Sequence, residues 1–205
     1  MSTWNGQSRQ DEFVWLILQR STGTFLDIGS HDPVYISNTY ALEQLGWNGF
    51  LFDIDPRWTE PVARTRSSPL IVADVSTFDW IKFLDDNQLS GTQMDYLSFD
   101  VDEASLATIR RFPFDRLSFR VCTIEHDRYR FGDAVADEMR AILQSNGYSL
   151  VCKDVRNQGQ PYEDWYVHSS LQSRVEGLFC DYMEWTDVLR KTRTHFQAPS
   201  PASQG

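Results

Sequence analysis

The chain has 205 residues, 41% of them hydrophobic and 14% aromatic, enough for one domain with a sizeable core. A net charge of −10 argues against a nonspecific grip on phosphate backbones, and no run approaches the roughly 20 apolar residues of a membrane span. Cys122, Cys152 and Cys180 are odd in number and far apart, which favours buried free thiols over disulfides or a metal knot. Residues 1–6 lack the basic and apolar regions of a signal peptide, so a cytoplasmic chain with no membrane partner is expected.

In chain order, Phe13, Leu16, Ile17 and Arg20 recur at helical spacing and predict an amphipathic helix over 10–20. Residues 25–28 read as a buried strand, broken at Gly29, where backbone can approach a ligand closely. Asn38 and Thr39 lead into a helix over 40–45. Residues 50–54 predict a second strand, stopped by Asp55-Pro56, and 69–73 a third. Ser76 is expected to cap a helix through Trp80, Phe83 and Leu84. Strands over 94–99 and 117–124 and a helix over 133–144 follow. This alternation implies βαβ units and a parallel sheet, hence an α/β fold. Residues 147–152 and 164–168, separated only by the turn-rich 157–161, predict an antiparallel hairpin and seven strands in all. A C-terminal helix is expected over about 171–194, closing a single domain over 1–196, with 197–205 as a disordered tail.

The predicted parallel strands end, in order, at Asp27, Asp53, Asp74, Asp100 and Glu125. Taken singly, each acid reads as a helix cap or turn residue. Taken together on one sheet edge they repel, unless a cation, a donor-rich ligand or a metal relieves them. S-adenosylmethionine carries a sulfonium, an ammonium, two ribose hydroxyls and an adenine amine. Asp53 lies 24 residues beyond Gly29, near the spacing of the acid that grips ribose hydroxyls in nucleotide-binding βαβ units. A dinucleotide fits less well, because residues 29–33 lack the second and third glycines that admit a pyrophosphate.

The run over 25–58, then Asp95-Tyr96-Leu97-Ser98-Phe99-Asp100-Val101-Asp102, Ile124-Glu125-His126, Gly147-Tyr148 and Glu163-Asp164-Trp165-Tyr166, resembles FkbM-type S-adenosylmethionine-dependent methyltransferases. The similarity covers most of 10–168 in the right order. It implies a Rossmann-like methyltransferase fold, a seven-stranded, mostly parallel sheet with an antiparallel last strand and helices on both faces. It also implies methyl transfer to a hydroxyl of a sugar, glycan or small natural product. Carried over by position, Asp27, Gly29, Ser30, His31 and Asn38 form the cofactor loop. Asp53 takes the ribose end, with Ile54 also a cofactor contact, Asp74 and Val75 the adenine, and Asp100 flanks the methionine end. Pro33 and Glu103, which depart from the family pattern as Ile54-Asp55 also does, would reshape the cofactor pocket or the acceptor mouth. They motivate an alternative, a catalytically degenerate module that holds S-adenosylmethionine or another nucleoside.

Methyl transfer from a sulfonium is an in-line displacement, assisted by a base at the acceptor hydroxyl. His126, beside Glu125 and near Asp100 and Asp102, is the expected base; otherwise its ring only hydrogen-bonds a neighbouring carboxylate. Asp100, Glu125 and His126 are also candidate ligands for Mg²⁺. No lysine precedes Lys82, and the chain is acidic, so a small-molecule or glycan acceptor is expected rather than nucleic acid. The apolar stripe Val175, Leu178, Phe179, Tyr182, Trp185 and Leu189 either packs back on the domain or pairs two subunits as a homodimer.

Overall fold

The computed structural model describes residues 4–197, and strand and helix alternate through most of it. Helix α1 (Gln10–Leu18) precedes β1 (Thr24–Ile28), α2 (Tyr40–Gln44), β2 (Asn48–Asp53) and α3 (Thr59–Thr65). Then come β3 (Leu70–Val72), α4 (Trp80–Asp86), β4 (Thr92–Phe99), α5 (Ser105–Arg111) and β5 (Leu117–Glu125). A short α6 (Arg128–Phe131) and α7 (Asp133–Ser145) lead to the hairpin β6 (Tyr148–Asn157) and β7 (Gln160–His168).

The sheet order is β3-β2-β1-β4-β5-β7-β6, followed by an eighth, two-residue strand β8 (Cys180–Asp181). Strands β1 to β5 are parallel, and β7 runs antiparallel between β5 and β6. Five parallel strands closed by a hairpin are therefore present, in a Rossmann-like α/β sandwich. The central strands are buried and mostly apolar because helices cover both of their faces. One core gathers Phe13, Ile17, Trp165 and Val188 under α1 and the C-terminal helix; the other gathers Trp80, Phe83, Phe112 and Met139 under α4, α5 and α7. All three cysteines are buried free thiols. Among the described residues, no helix is long and apolar enough to cross a membrane.

Three local expectations are corrected. Ser76 does not cap α4: Asp79 does, accepting from the Lys82 amide at 3.0 Å, while Ser76 folds back onto Asp74. The hairpin strands run further than their apolar residues suggest and meet at Gln158-Gly159. Both turn residues have positive φ, 53° and 84°, which matches the twist of paired strands. The helix expected over 171–194 is three elements: a 3₁₀ turn (Ser169–Val175), β8, and α8 (Trp185–Gln197). Gly177, at φ 80°, ends the helical turn, and the open edge of β6 then takes Cys180 and Asp181 as a parallel partner. Val175, Leu178 and Leu189 are all buried, but from separate elements that happen to repeat at helical spacing. Helix α8 packs back on the domain: Val188 and Leu189 are buried, and Arg193 holds Glu12 of α1 in a forked pair at 2.7 and 2.8 Å. Val188 and Leu189 of its apolar face are thus spent inside the chain, while Phe179 and Tyr182 of the predicted stripe stay exposed. The disordered tail expected over 197–205 lies, from 198 onward, outside the described residues.

Candidate functional site

The strand registers put the acids in one row. Ile28 is opposite Phe52 and Phe99, Phe99 is opposite Ile124, and Glu125 is opposite Glu163. One residue further along the parallel strands places Asp53, Gly29, Asp100 and Glu125 side by side at the carboxyl edge, where doubly wound sheets bind ligands. Gly29 is demanded by that crowding. Its φ is +84°, and a Cβ there would lie 1.5 Å from the Asp100 carbonyl oxygen. The Gly29 and Ser30 amides both donate to the Phe52 carbonyl at 2.9 Å, tying the loop to β2.

A cavity of about 560 Å³ opens above this row, lined by Asp53, Ile54, Asp74, Val75, Asp102 and Glu103 among others. A smaller one of about 40 Å³ adjoins it, sharing Gly29, His31, Ile36 and Asp100, and adding Asp27, Ser30, Asn38 and Glu125. All five strand-end acids therefore face two connected hollows. Asp53 is aimed by the His31 and Asp55 amides, each 2.8 Å from one of its oxygens, and both oxygens keep acceptor capacity. Asp74 accepts from both the amide and the hydroxyl of Ser76, and those bonds hold its carboxyl below the usual range. Asp102, exposed at the rim, is paired with Arg130 at 2.7 Å.

The loop over 31–39 is pinned from behind. Asp32 accepts from the Val34 and Tyr35 amides at 2.9 and 2.7 Å. Buried Arg66 pairs with Glu43 at 2.9 Å and donates to the Pro33 carbonyl and the Thr39 hydroxyl. Thr39 in turn donates to Asp27 at 2.6 Å. Pro33 is thereby drawn into this anchor and lines neither hollow.

The electrostatics are those of acids short of a cation. Burial raises Asp27 above the ordinary carboxyl range, against the Thr39 hydrogen bond. Asp100 and Glu125 are neighbours in the row, and burial followed by carboxylate repulsion pushes both upward. Glu163, across from Glu125, is raised to about 8 by burial, although Tyr162 and Gln10 donate to it. Asp11 is raised to about 6 for the same reason. In the small hollow, Ser30 Oγ and Asn38 Oδ1 are buried with no hydrogen-bond partner. Of the basic side chains lining these hollows, Arg57 is engaged by Asp55 at 2.7 Å and lies over Trp58, whose ring also packs on His31.

His126 is a correction. Its side chain is 1% exposed and lines none of these hollows. Nδ1 accepts from the Arg128 amide at 3.1 Å, and Nε2 lies 3.2 Å from Asp164 and 3.7 Å from Asp154. The left-handed turn at Asp127 (φ 45°) swings the chain away after β5 and leaves the imidazole on the inner side. Asp100, Glu125 and His126 accordingly do not converge as metal ligands.

What converges instead is His126, Asp154 and Asp164, with ligand atoms within 4.8 Å of one another. Their oxygens are already taken. Arg140 reaches Asp154 at 2.6 Å and Asp164 at 2.7 Å, and Arg128 reaches the second oxygen of Asp154 at 2.6 Å. Against the upward push of burial, His126 and Arg140 hold the Asp164 carboxyl well below its usual range. A divalent ion would have to evict Arg140, so this donor set does not fit a metal.

Sequence reasoning missed Gln10 in the wall of the small hollow, the buried Glu163 that Gln10 donates to, the buried Asp11, and the Asp154–Arg140 pair. Glu163 alone left a signal, standing two residues before Trp165 in a strand-like run.

No family model matches the sequence, and no curated protein matches it. Solved structures do. A putative rRNA-methylase from Clostridium thermocellum is 10% identical, over 82% of this chain and 97% of that one, with a TM-score of 0.54. An rRNA methylase from Streptococcus thermophilus is 13% identical, over 77% and 93%, with a TM-score of 0.52. Cofactor-bound Rv0187 from MTB is 16% identical, over 80% and 81%, with a TM-score of 0.51. At such identities the likeness is one of architecture. The chain has the α/β Rossmann-like methyltransferase fold, parallel strands followed by an antiparallel C-terminal hairpin, with helices on both faces.

Proposed function

We propose that the chain is an S-adenosylmethionine-dependent methyltransferase of the FkbM type, acting on a hydroxyl of a sugar, glycan or small natural product. The observation that carries this reading is the pair of connected hollows, walled by five strand-end acids and provided with two unpartnered oxygens at the narrow end. A nucleoside bearing a sulfonium and an ammonium supplies the missing positive charge, and the donor set fits it.

Asp53 would hold the ribose hydroxyls, Ile54 and Val75 the faces of the adenine, and Asp74 its amine. Ser30 and Asn38 would take the methionine end, with Asp27 and Asp100 close to its ammonium. Bound there, the donor supplies a methyl group whose carbon–sulfur electron pair stays on sulfur as the bond to the acceptor oxygen forms. The walls fix the acceptor in line with that bond. Asp100, raised to about 7, would take the hydroxyl proton in place of the enclosed His126. Two of the similar folds are named for rRNA. The net charge of −10 and the acid-lined cleft favour an acceptor other than nucleic acid here.

A second reading, a binding module without turnover, is favoured by Glu103, which lines the larger hollow where the resemblance has glycine. Calorimetry with S-adenosylmethionine and S-adenosylhomocysteine tests donor binding, which both readings require. Transfer of labelled methyl to a panel of glycans then separates them: binding without transfer to any acceptor leaves the module.

A further inference from the structure

A third cavity, of about 260 Å³, lies at the tip of the β6–β7 hairpin. It meets the narrow donor hollow at Gln7 and Glu125, which line both. Gln7, Asn157, Gln158, Gln160, Tyr129 and Tyr162 line it together with two acids, Glu125 and Asp127. No lysine, arginine, histidine or aliphatic residue lines it. Amides donate and accept together, which suits a ligand dense in hydroxyls and amines.

The two carboxylates differ in what they lack. Asp127 is paired with Arg130 at 2.7 Å. The other nearby arginine, Arg128, is turned to Asp133 and Asp154. Glu125 makes no ion pair among the described residues: Asp100 and Asp127 lie near it, and Glu163 stands directly across the strand pair. A neutral polyol would satisfy the amides but bring no cation for Glu125 to pair with on ionising. A phosphorylated ligand would add to the repulsion.

We infer that this third cavity is the acceptor subsite, and that it takes a polyhydroxylated molecule carrying a protonated amine, of the amino-sugar class, with the ammonium set against Glu125. The direction of transfer rests on the methyl-donor reading above; the ligand chemistry of the subsite does not. An ammonium there ionises Glu125 and leaves Asp100 to receive the hydroxyl proton.

The test is equilibrium binding to the full chain saturated with S-adenosylhomocysteine, using glucosamine, glucose and glucose 6-phosphate as probes at constant ionic strength. Glucosamine is expected to bind about tenfold tighter than glucose, the effect of one charge-assisted hydrogen bond, with the phosphate weakest. Glu125→Gln, which keeps shape and removes charge, should bring glucosamine down to the affinity of glucose. Gln160→Ala should weaken both sugars and leave S-adenosylhomocysteine affinity within about twofold. Glucosamine binding no tighter than glucose, a preference that survives Glu125→Gln, or no binding by any of the three overturns the inference. If S-adenosylhomocysteine itself fails to bind, the donor reading falls separately, and the same probes titrated into the free chain still decide the subsite.

Discussion

Two acid clusters adjoin on β7, where Glu163 belongs to one and Asp164 to the other, and they have opposite fates. On the inner side, Asp154 and Asp164 are met by Arg140, Arg128 and His126, and every oxygen has a partner. On the cleft side, Asp27, Asp100, Glu125 and Glu163 crowd together with hydrogen bonds and no arginine or lysine pair. A folded chain keeps the first arrangement for its own integrity. The second costs stability unless a visitor brings the charge. Compensation marks structure, and its absence marks the site.

The largest effect should come from uncompensating the inner cluster. Arg140→Met leaves two buried carboxylates facing His126 and Arg128, and is expected to destabilise the chain by about 3–5 kcal/mol in urea unfolding. A cost below about 1 kcal/mol would erase the distinction between the clusters.

The pH dependence of stability should differ in sign between them. Glu163, raised from 4.5 to about 8, contributes fully below its unfolded value, and the contribution is lost as pH rises through about 8. Asp164, held down from 3.8, contributes above that value and loses its contribution as pH falls below it. Thermal unfolding across pH should therefore show stability falling between about pH 4.5 and 8, by roughly 5 kcal/mol at most for this group, a fall that Glu163→Gln reduces without touching the acid limb. A fall unchanged in Glu163→Gln would remove this buried acid from the cleft-side account.

A smaller change is expected from Asp53→Ala, which should weaken S-adenosylhomocysteine by about tenfold, or ~1.4 kcal/mol, with the urea midpoint unmoved. The smallest is expected from His126→Gln. It should alter stability by under about 1 kcal/mol and leave donor affinity as it was. A collapse in kcat together with a lost limb of the pH–rate profile would return the imidazole to the reacting groups.

The strand-end acids could be read before folding because each stands where an apolar run breaks, so sequence position and edge position coincide. Gly29 was legible for the same reason. His126 was not, since its neighbour Glu125 is at the edge and one left-handed residue, Asp127, decides which way the next ring turns. The Asp154–Arg140 pair was hidden by a register shift in β6 between Cys152 and Val155, with Asp154 at φ 50°. Asp154 therefore reaches a neighbour that regular alternation would have denied it. Gln10 and Asp11 escaped because α1 was judged by its apolar residues. Both sides of that helix are in fact enclosed, with Gln10, Asp11 and Glu12 all buried. The split of 171–194 into three pieces followed from pairing with β6, a long-range event that helical spacing cannot register.

The two-residue turn at Gln158-Gly159 has a consequence for selectivity. A loop that short, locked by left-handed backbone at both positions, cannot reshape itself around an arriving molecule. The far rim of the third cavity is thus a fixed gauge whose ordering was settled during folding. Ill-fitting acceptors are turned away at the entrance, and a lengthened hairpin would widen the range of compounds admitted while leaving the sheet beneath undisturbed.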